Sequence, residues 1–174
     1  MKPIRWLVAG SLGIALTLSG CAIPNPSVAA QVGSVSVPES KVDDVNRAFA
    51  SAMQVSPAET RSRVLAVLVQ GEIVSEIARR RQVLLSPALR EPIIATDPIM
   101  LLLAKDPLAA ELSEDTADLR IVVGKLGVEA LLSEAALLNV VINPKYGTWV
   151  PEQLNVTGGG GSISKPFAAA TPAA

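Results

Sequence analysis

The chain has one thiol, Cys21, and no imidazole at all. The missing histidine removes the commonest general base, the usual Ser-His-Asp and Cys-His arrangements, and the commonest zinc ligand. A single cysteine also forbids an intrachain disulfide. What remains for Cys21 is set by its position, after Leu18-Ser19-Gly20 at the close of an uncharged, mostly apolar run from Trp6 to Leu18. A thiol placed there can carry lipid through a thioether. Other chemistry would have to come from Asp, Glu, Lys, Ser or Tyr, and no constellation of these stands out. Rings are few: Trp6, Phe49, Tyr146, Trp149 and Phe167 are the whole aromatic complement. That is too little for a base-stacking or sugar platform.

The segment that presents Cys21 has its own order. Met1-Lys2-Pro3-Ile4-Arg5 carries two positive charges, the apolar run follows, and small residues precede the thiol. Basic, apolar and small regions in that sequence are the layout of an export leader. The run is too short, and too soon followed by Pro24 and Pro26, to favour a stable span of a bilayer about 30 Å thick. Leu18-Ser19-Gly20-Cys21 resembles a bacterial lipobox. That resemblance implies a leader over residues 1–20 and a diacylglycerol-modified Cys21 as the first mature residue. It places the domain on the extracytoplasmic face of the cell membrane.

Charge narrows the partners. The chain carries 15 basic and 16 acidic side chains, and removing Lys2 and Arg5 makes the remainder more acidic. This is no nucleic-acid footprint, which needs a basic face. Gly124-Lys125-Leu126-Gly127 has the spacing of a nucleic-acid GXXG loop, but it lies in a helical pattern and is set aside. Glu111, Glu114, Asp115 and Asp118 lack the glycine-centred loop of a calcium hand and read as helix-start charges. Arg79-Arg80-Arg81 reads as a solvated helix end. No cofactor is expected beyond the acyl group on Cys21.

The elements that hold these residues follow from spacing. Residues 21–29, with Pro24 and Pro26, suit a tether. Val32, Val35 and Val37 around Gly33-Ser34 predict a short strand or β-hook. Pro38-Glu39 opens a helix bearing Val42, Val45, Phe49 and Met53 on one face. Ser56-Pro57-Ala58-Glu59 predicts a capping box, starting a helix to Arg81 whose apolar stripe is broad enough for more than one neighbour. Prolines 87, 92, 98 and 107 cut the next region into short pieces, the most apolar being 98–104. One long helix is expected from Ser113 to about Leu138, with Gly124 and Gly127 inside it. Val140-Val141-Ile142 and Thr148-Trp149-Val150 predict two short strands, and after Pro151 the pattern fades into a flexible tail, 151–174. The fold class is mainly α: a multi-helix domain over 30–150, closed by a small sheet or hairpin of N- and C-terminal short strands.

That order, with two local matches, resembles the N-terminal chaperone domain of the SurA-like family, in particular the actinobacterial lipoproteins built on it. The matches are Ala30-Gln31-Val32-Gly33-Ser34-Val35-Ser36-Val37 running into Glu39 and Val42, and Val141-Ile142-Asn143-Pro144-Lys145-Tyr146-Gly147-Thr148-Trp149. The family form usually has an acid after the Trp, where this chain has Val150. The resemblance implies a helical domain that holds non-native polypeptide in an apolar groove. Larger members add parvulin domains of about 90–100 residues. Only about two dozen residues follow Trp149 here, and there is no histidine for such a site. Isomerase activity is therefore not expected.

The expectation is a non-catalytic, lipid-anchored module that binds unfolded or exported polypeptides through apolar surface. Candidate peptide-binding residues are Met100 and Leu101, in an uncharged run where methionine adapts to varied partners, and Tyr146 and Trp149 near the domain's end. The plainer alternative for the two aromatics is a plug for a small core, and for 98–104 a buried helix. The alternative function is a scaffold lipoprotein that binds one folded envelope partner.

Overall fold

Val28–Val32 (β1) and Val35–Pro38 (β2) form an antiparallel hairpin whose two-residue turn places Gly33 at φ 58°. Such turns want a positive φ at their first position, which glycine supplies without a Cβ penalty. The computed structural model describes residues 25–158. Cys21, the leader expected over 1–20, residues 21–24 of the expected tether and residues 159–174 lie outside them.

Helix α1 (Glu39–Met53) starts directly from the hairpin and ends at Gln54 in the left-handed region. Of the stripe the spacing predicts, Val42 and Val45 are buried and Phe49 and Met53 are half-buried, and Ala48 joins the buried face. Helix α2 (Pro57–Arg81) has Pro57 in its first turn, as expected, but Ser56 makes no side-chain cap. Its start is held by a cross-helix pair instead. The buried Thr60 hydroxyl donates to Asn46 Oδ1 at 2.7 Å, and Asn46 Nδ2 donates to the Pro57 carbonyl at 2.8 Å. Val64, Leu65, Leu68, Val69, Ile73, Val74 and Ile77 are all buried on α2. This central helix packs against α1, the hairpin, the later helices and the C-terminal strands, which is the burial its broad stripe requires.

Two short helices follow, α3 (Pro87–Ala95) and α4 (Pro98–Leu103), then α5 (Ala110–Leu126) and α6 (Val128–Ala136). The single helix expected over 113–138 is thus two. Gly127 sits at φ 83°, ψ 159° between them, a conformation almost confined to glycine. The apolar pattern runs on because α6, in its new direction, still turns Leu131 and Ala135 into the same core.

Strand β3 (Val140–Ile142) pairs antiparallel with β1, giving a sheet ordered β2-β1-β3. The fold class is as expected: mainly helical, with the two ends of the domain meeting in a small sheet. A 3-10 turn over Pro144–Tyr146 leads to β4 (Gly147–Val150), and a second over Pro151–Gln153 leads to β5 (Asn155–Gly158), which pairs with β4. Elements therefore reach past both ends of the expected 30–150. Val28 and Ala29 are strand rather than tether, with Ala29 fully buried. Leu154 is buried, and its carbonyl accepts from Gln70 Nε2 on α2 at 2.5 Å. Among the described residues no helix is long and apolar enough to cross a membrane.

Candidate functional site

Helix α4 is Pro-Ile-Met-Leu-Leu-Leu, one and a half turns with no polar side chain. Asp97 starts it by accepting from the amides of Ile99 and Met100 at 3.1 and 3.3 Å. Arg120 donates to the other carboxylate oxygen at 2.7 Å and is the main reason the Asp97 carboxyl lies below its ordinary range. The buried Ser113 hydroxyl on α5 donates to the Met100 carbonyl at 3.0 Å, tying the two helices together.

So short a helix cannot bury every side chain. Met100 and Leu103 face inward at 3% and 5% exposure, while Ile99, Leu101 and Leu102 stand at 51%, 45% and 40%. Leu89 and Leu108, in the neighbouring segments, are exposed as well. A cluster of large exposed apolar side chains on one element marks a contact surface more readily than scattered ones do.

Beneath α4 lies an apolar cavity of about 200 Å³. Met100, Ile99 and Leu103 form one side; Phe49 from α1, Val64 and Val67 from α2, and Leu112 from α5 form the others. Arg63, Asp97 and Thr116 supply its polar rim. Leu101 lies on a second, shallower hollow of about 450 Å³ shared with Pro87, Ile94 and Arg90 of α3. Arg90 fixes that wall, donating to both carboxylate oxygens of Asp118 at 2.7 Å and to Glu114 at 3.0 Å. Met100 and Leu101 therefore serve two hollows on either side of one helix. Sequence spacing pointed to α4 but not to Phe49, Arg63, Val67 or Thr116. Their signal was present only as the partly buried edges of the α1, α2 and α5 stripes.

Tyr146 and Trp149 are not part of this surface. Tyr146 is a core residue at 2% exposure. Its hydroxyl donates to Glu39 Oε2 at 2.7 Å and accepts from Arg61 Nε at 2.8 Å. Arg61 also bonds Glu39 at 3.0 Å and pairs with Asp43, and Lys145 reaches Glu39 at 2.8 Å. Burial and the bond to Glu39 push the phenol up to about 12, so it stays a neutral donor. Burial alone would raise Glu39, but bonds from Lys145, Tyr146 and Arg61 outweigh it and hold the carboxyl below its ordinary range. The arrangement is a clamp that joins the 3-10 turn after β3 to the first turn of α1 and the second turn of α2. Trp149 lines a separate groove beside β3, and its indole Nε1 is buried with no acceptor.

The acids near the start of α5 are distributed among cations rather than gathered. Glu111 takes Lys41 at 2.5 Å, while Glu114 and Asp118 take Arg90. Asp115 is the exception. A Cβ built on Gly71 of α2 would lie 2.2 Å from Asp115 Cγ, so the carboxyl fills the space that glycine leaves at the α2–α5 crossing. Burial, then the charge of Glu111, pushes it up to about 8 against the opposing pull of Lys41.

Comparison of the chain with family models, with curated proteins and with solved structures gave no match.

Proposed function

We propose that this chain is a lipid-anchored, extracytoplasmic binding module that holds apolar segments of unfolded or newly exported polypeptides, without catalysis. The observation that carries the reading is α4: Ile99, Leu101 and Leu102 are exposed, with the apolar cavity lined by Ile99, Met100, Leu103 and Phe49 on one side of the helix and the hollow lined by Leu101 on the other. A side chain from a non-native segment can enter the cavity while its neighbours cover the exposed leucines. Removing that apolar area from water drives the binding, at roughly 25 cal/mol per Å². The lipid on Cys21, inferred from the Leu18-Ser19-Gly20-Cys21 resemblance, keeps the module at the membrane where such segments emerge.

The size of the cavity favours a second reading. About 200 Å³ admits one or two side chains, the anchor expected of a scaffold lipoprotein with one folded envelope partner. The two are separated by diluting a denatured, apolar-rich client into buffer with and without soluble protein starting at Ala22. Stoichiometric suppression of aggregation that persists at high salt is the result expected of the first reading. No suppression at several-fold excess of folded protein sinks it in favour of the second.

A further inference from the structure

Strand β3 is the outer strand of its sheet, and the register fixes which of its backbone groups are free. The Gly33 amide donates to the Asn139 carbonyl at 2.8 Å, and the Asn143 amide donates to the Ala29 carbonyl at 2.8 Å. Gln31 lies opposite Val141 midway between them. Antiparallel neighbours exchange hydrogen bonds at every second pair. Residues 139, 141 and 143 therefore turn their amides and carbonyls toward β1, and Val140 and Ile142 turn theirs away. No strand pairs with β3 on that side, although β4 packs close to it, and among the described residues neither pair of groups has a hydrogen-bond partner.

Val140 and Ile142 are among the β3 residues that line a groove of about 490 Å³ between β3 and β4, walled also by Leu138, Pro144, Trp149 and Pro151. Every residue lining it is uncharged. A row of free donors and acceptors beside uncharged walls complements one kind of ligand best: another extended backbone, which repeats N–H and C=O at the same interval and carries no charge to be stranded. A second copy of the chain fits less well. Two three-residue strands edge to edge cover far less than the roughly 1,000 Å² that a stable dimer needs.

We propose that this groove is a strand-addition site, which captures an extended, uncharged polypeptide segment that pairs with Val140 and Ile142 as a fourth strand beside β3. The inference rests on the polypeptide-binding reading for the class of occupant, and deepens it. The α4 cavity selects a side chain, whereas the β3 edge takes main chain and so tolerates many sequences. Trp149 forms a wall of the groove and reports on its filling.

The test uses the full chain carrying Trp6→Phe, so that Trp149 is the sole indole, and a seven-residue peptide of alternating Thr and Val blocked at both ends. Hydrogen exchange should slow at least tenfold at the Val140 and Ile142 amides as peptide is added, while Val141, already bonded to β1, changes little. Trp149 emission should shift in step. Val140→Pro removes an outward amide and no bond to β1, and should weaken binding at least tenfold. If that variant does not fold, the same peptide N-methylated at every residue makes the equivalent cut from the ligand's side, because methylation at alternate residues would leave one edge able to pair. Equal binding by the N-methylated peptide, or no protection at millimolar peptide, overturns the proposal. So does protection already present without peptide: dependent on protein concentration, it identifies a second copy on the edge, and independent of it, the chain's own residues 159–174. The double variant Leu101→Asp, Leu102→Asp run in parallel separates the two readings. It should lose aggregation suppression while keeping the peptide's protection of Val140 and Ile142.

Discussion

The Tyr146 hydroxyl donates to Glu39 Oε2 at 2.7 Å across 107 residues of sequence, with Arg61 donating back to the same hydroxyl. Removing the hydroxyl leaves a buried carboxylate one donor short and an arginine Nε without its acceptor. Hydrogen bonds to charged groups are worth about 1.5–3 kcal/mol. Tyr146→Phe should therefore lower the unfolding free energy by about 2 kcal/mol in urea titrations, with the helical signal of the native state unchanged.

Stability should peak in mildly acid solution. The Glu39 carboxyl is held below its ordinary value of 4.5, so the folded state gives up its proton first, and the stability this brings is lost as pH falls through that lowered value. Asp115 acts the other way. Between about 4 and about 8 the folded chain keeps a proton that the unfolded chain has released, so stability falls as pH rises. The slope is at most about 1.4 kcal/mol per pH unit. Asp115→Asn mimics the neutral carboxyl and should flatten this limb, measured as chemical denaturation midpoints from pH 4 to 9. Gly71→Ala should destabilise at every pH, because its Cβ meets the Asp115 carboxyl.

Two glycines three residues apart should respond oppositely to alanine. Nothing lies within 4 Å of a Cβ placed on Gly124, inside α5, so Gly124→Ala should raise stability by up to about 1 kcal/mol. Gly127 holds φ 83° at the α5–α6 break, and Gly127→Ala should lower it by at least as much. Thermal melts of the two variants check both signs.

The indole N–H of Trp149 is buried without an acceptor, a state that costs about 1–3 kcal/mol. Trp149→Phe gives up some packing but relieves that cost. The net change in unfolding free energy should stay within about 1 kcal/mol, well below the loss from an ordinary buried tryptophan.

The helices were legible where spacing and proline agreed: Val42, Val45 and Phe49 for α1, Pro57 for α2, Pro98 for α4. The break at Gly127 was not, because the apolar pattern continues through it and only the backbone angle marks the turn. The capping box at Ser56 was over-read: Ser56 makes no side-chain cap, and the start of α2 is instead tied to α1 by Asn46, which accepts from Thr60 and donates to the Pro57 carbonyl. Strand β5 was missed because Asn155-Val156-Thr157-Gly158 carries a single apolar residue and is defined by its pairing with β4. For the α4 surface, the uncharged run and Met100 were visible, but the cavity was not, because its walls come from four helices. The separation of Tyr146 from that surface was equally hidden: its partners Glu39 and Arg61 precede it by 107 and 85 residues.

The pairing of β1 with β3 sets a timetable. The first strand of the domain finds its second neighbour only when residues 140–142 are available, and the Glu39 clamp closes later still, at Tyr146. During synthesis the growing chain therefore lacks its closing contacts until nearly all of the domain has emerged. Long-range closure of this kind slows folding. Were the chain exported unfolded through a narrow channel, as the proposed function has it, that delay would be an advantage: the contacts that lock the domain come last.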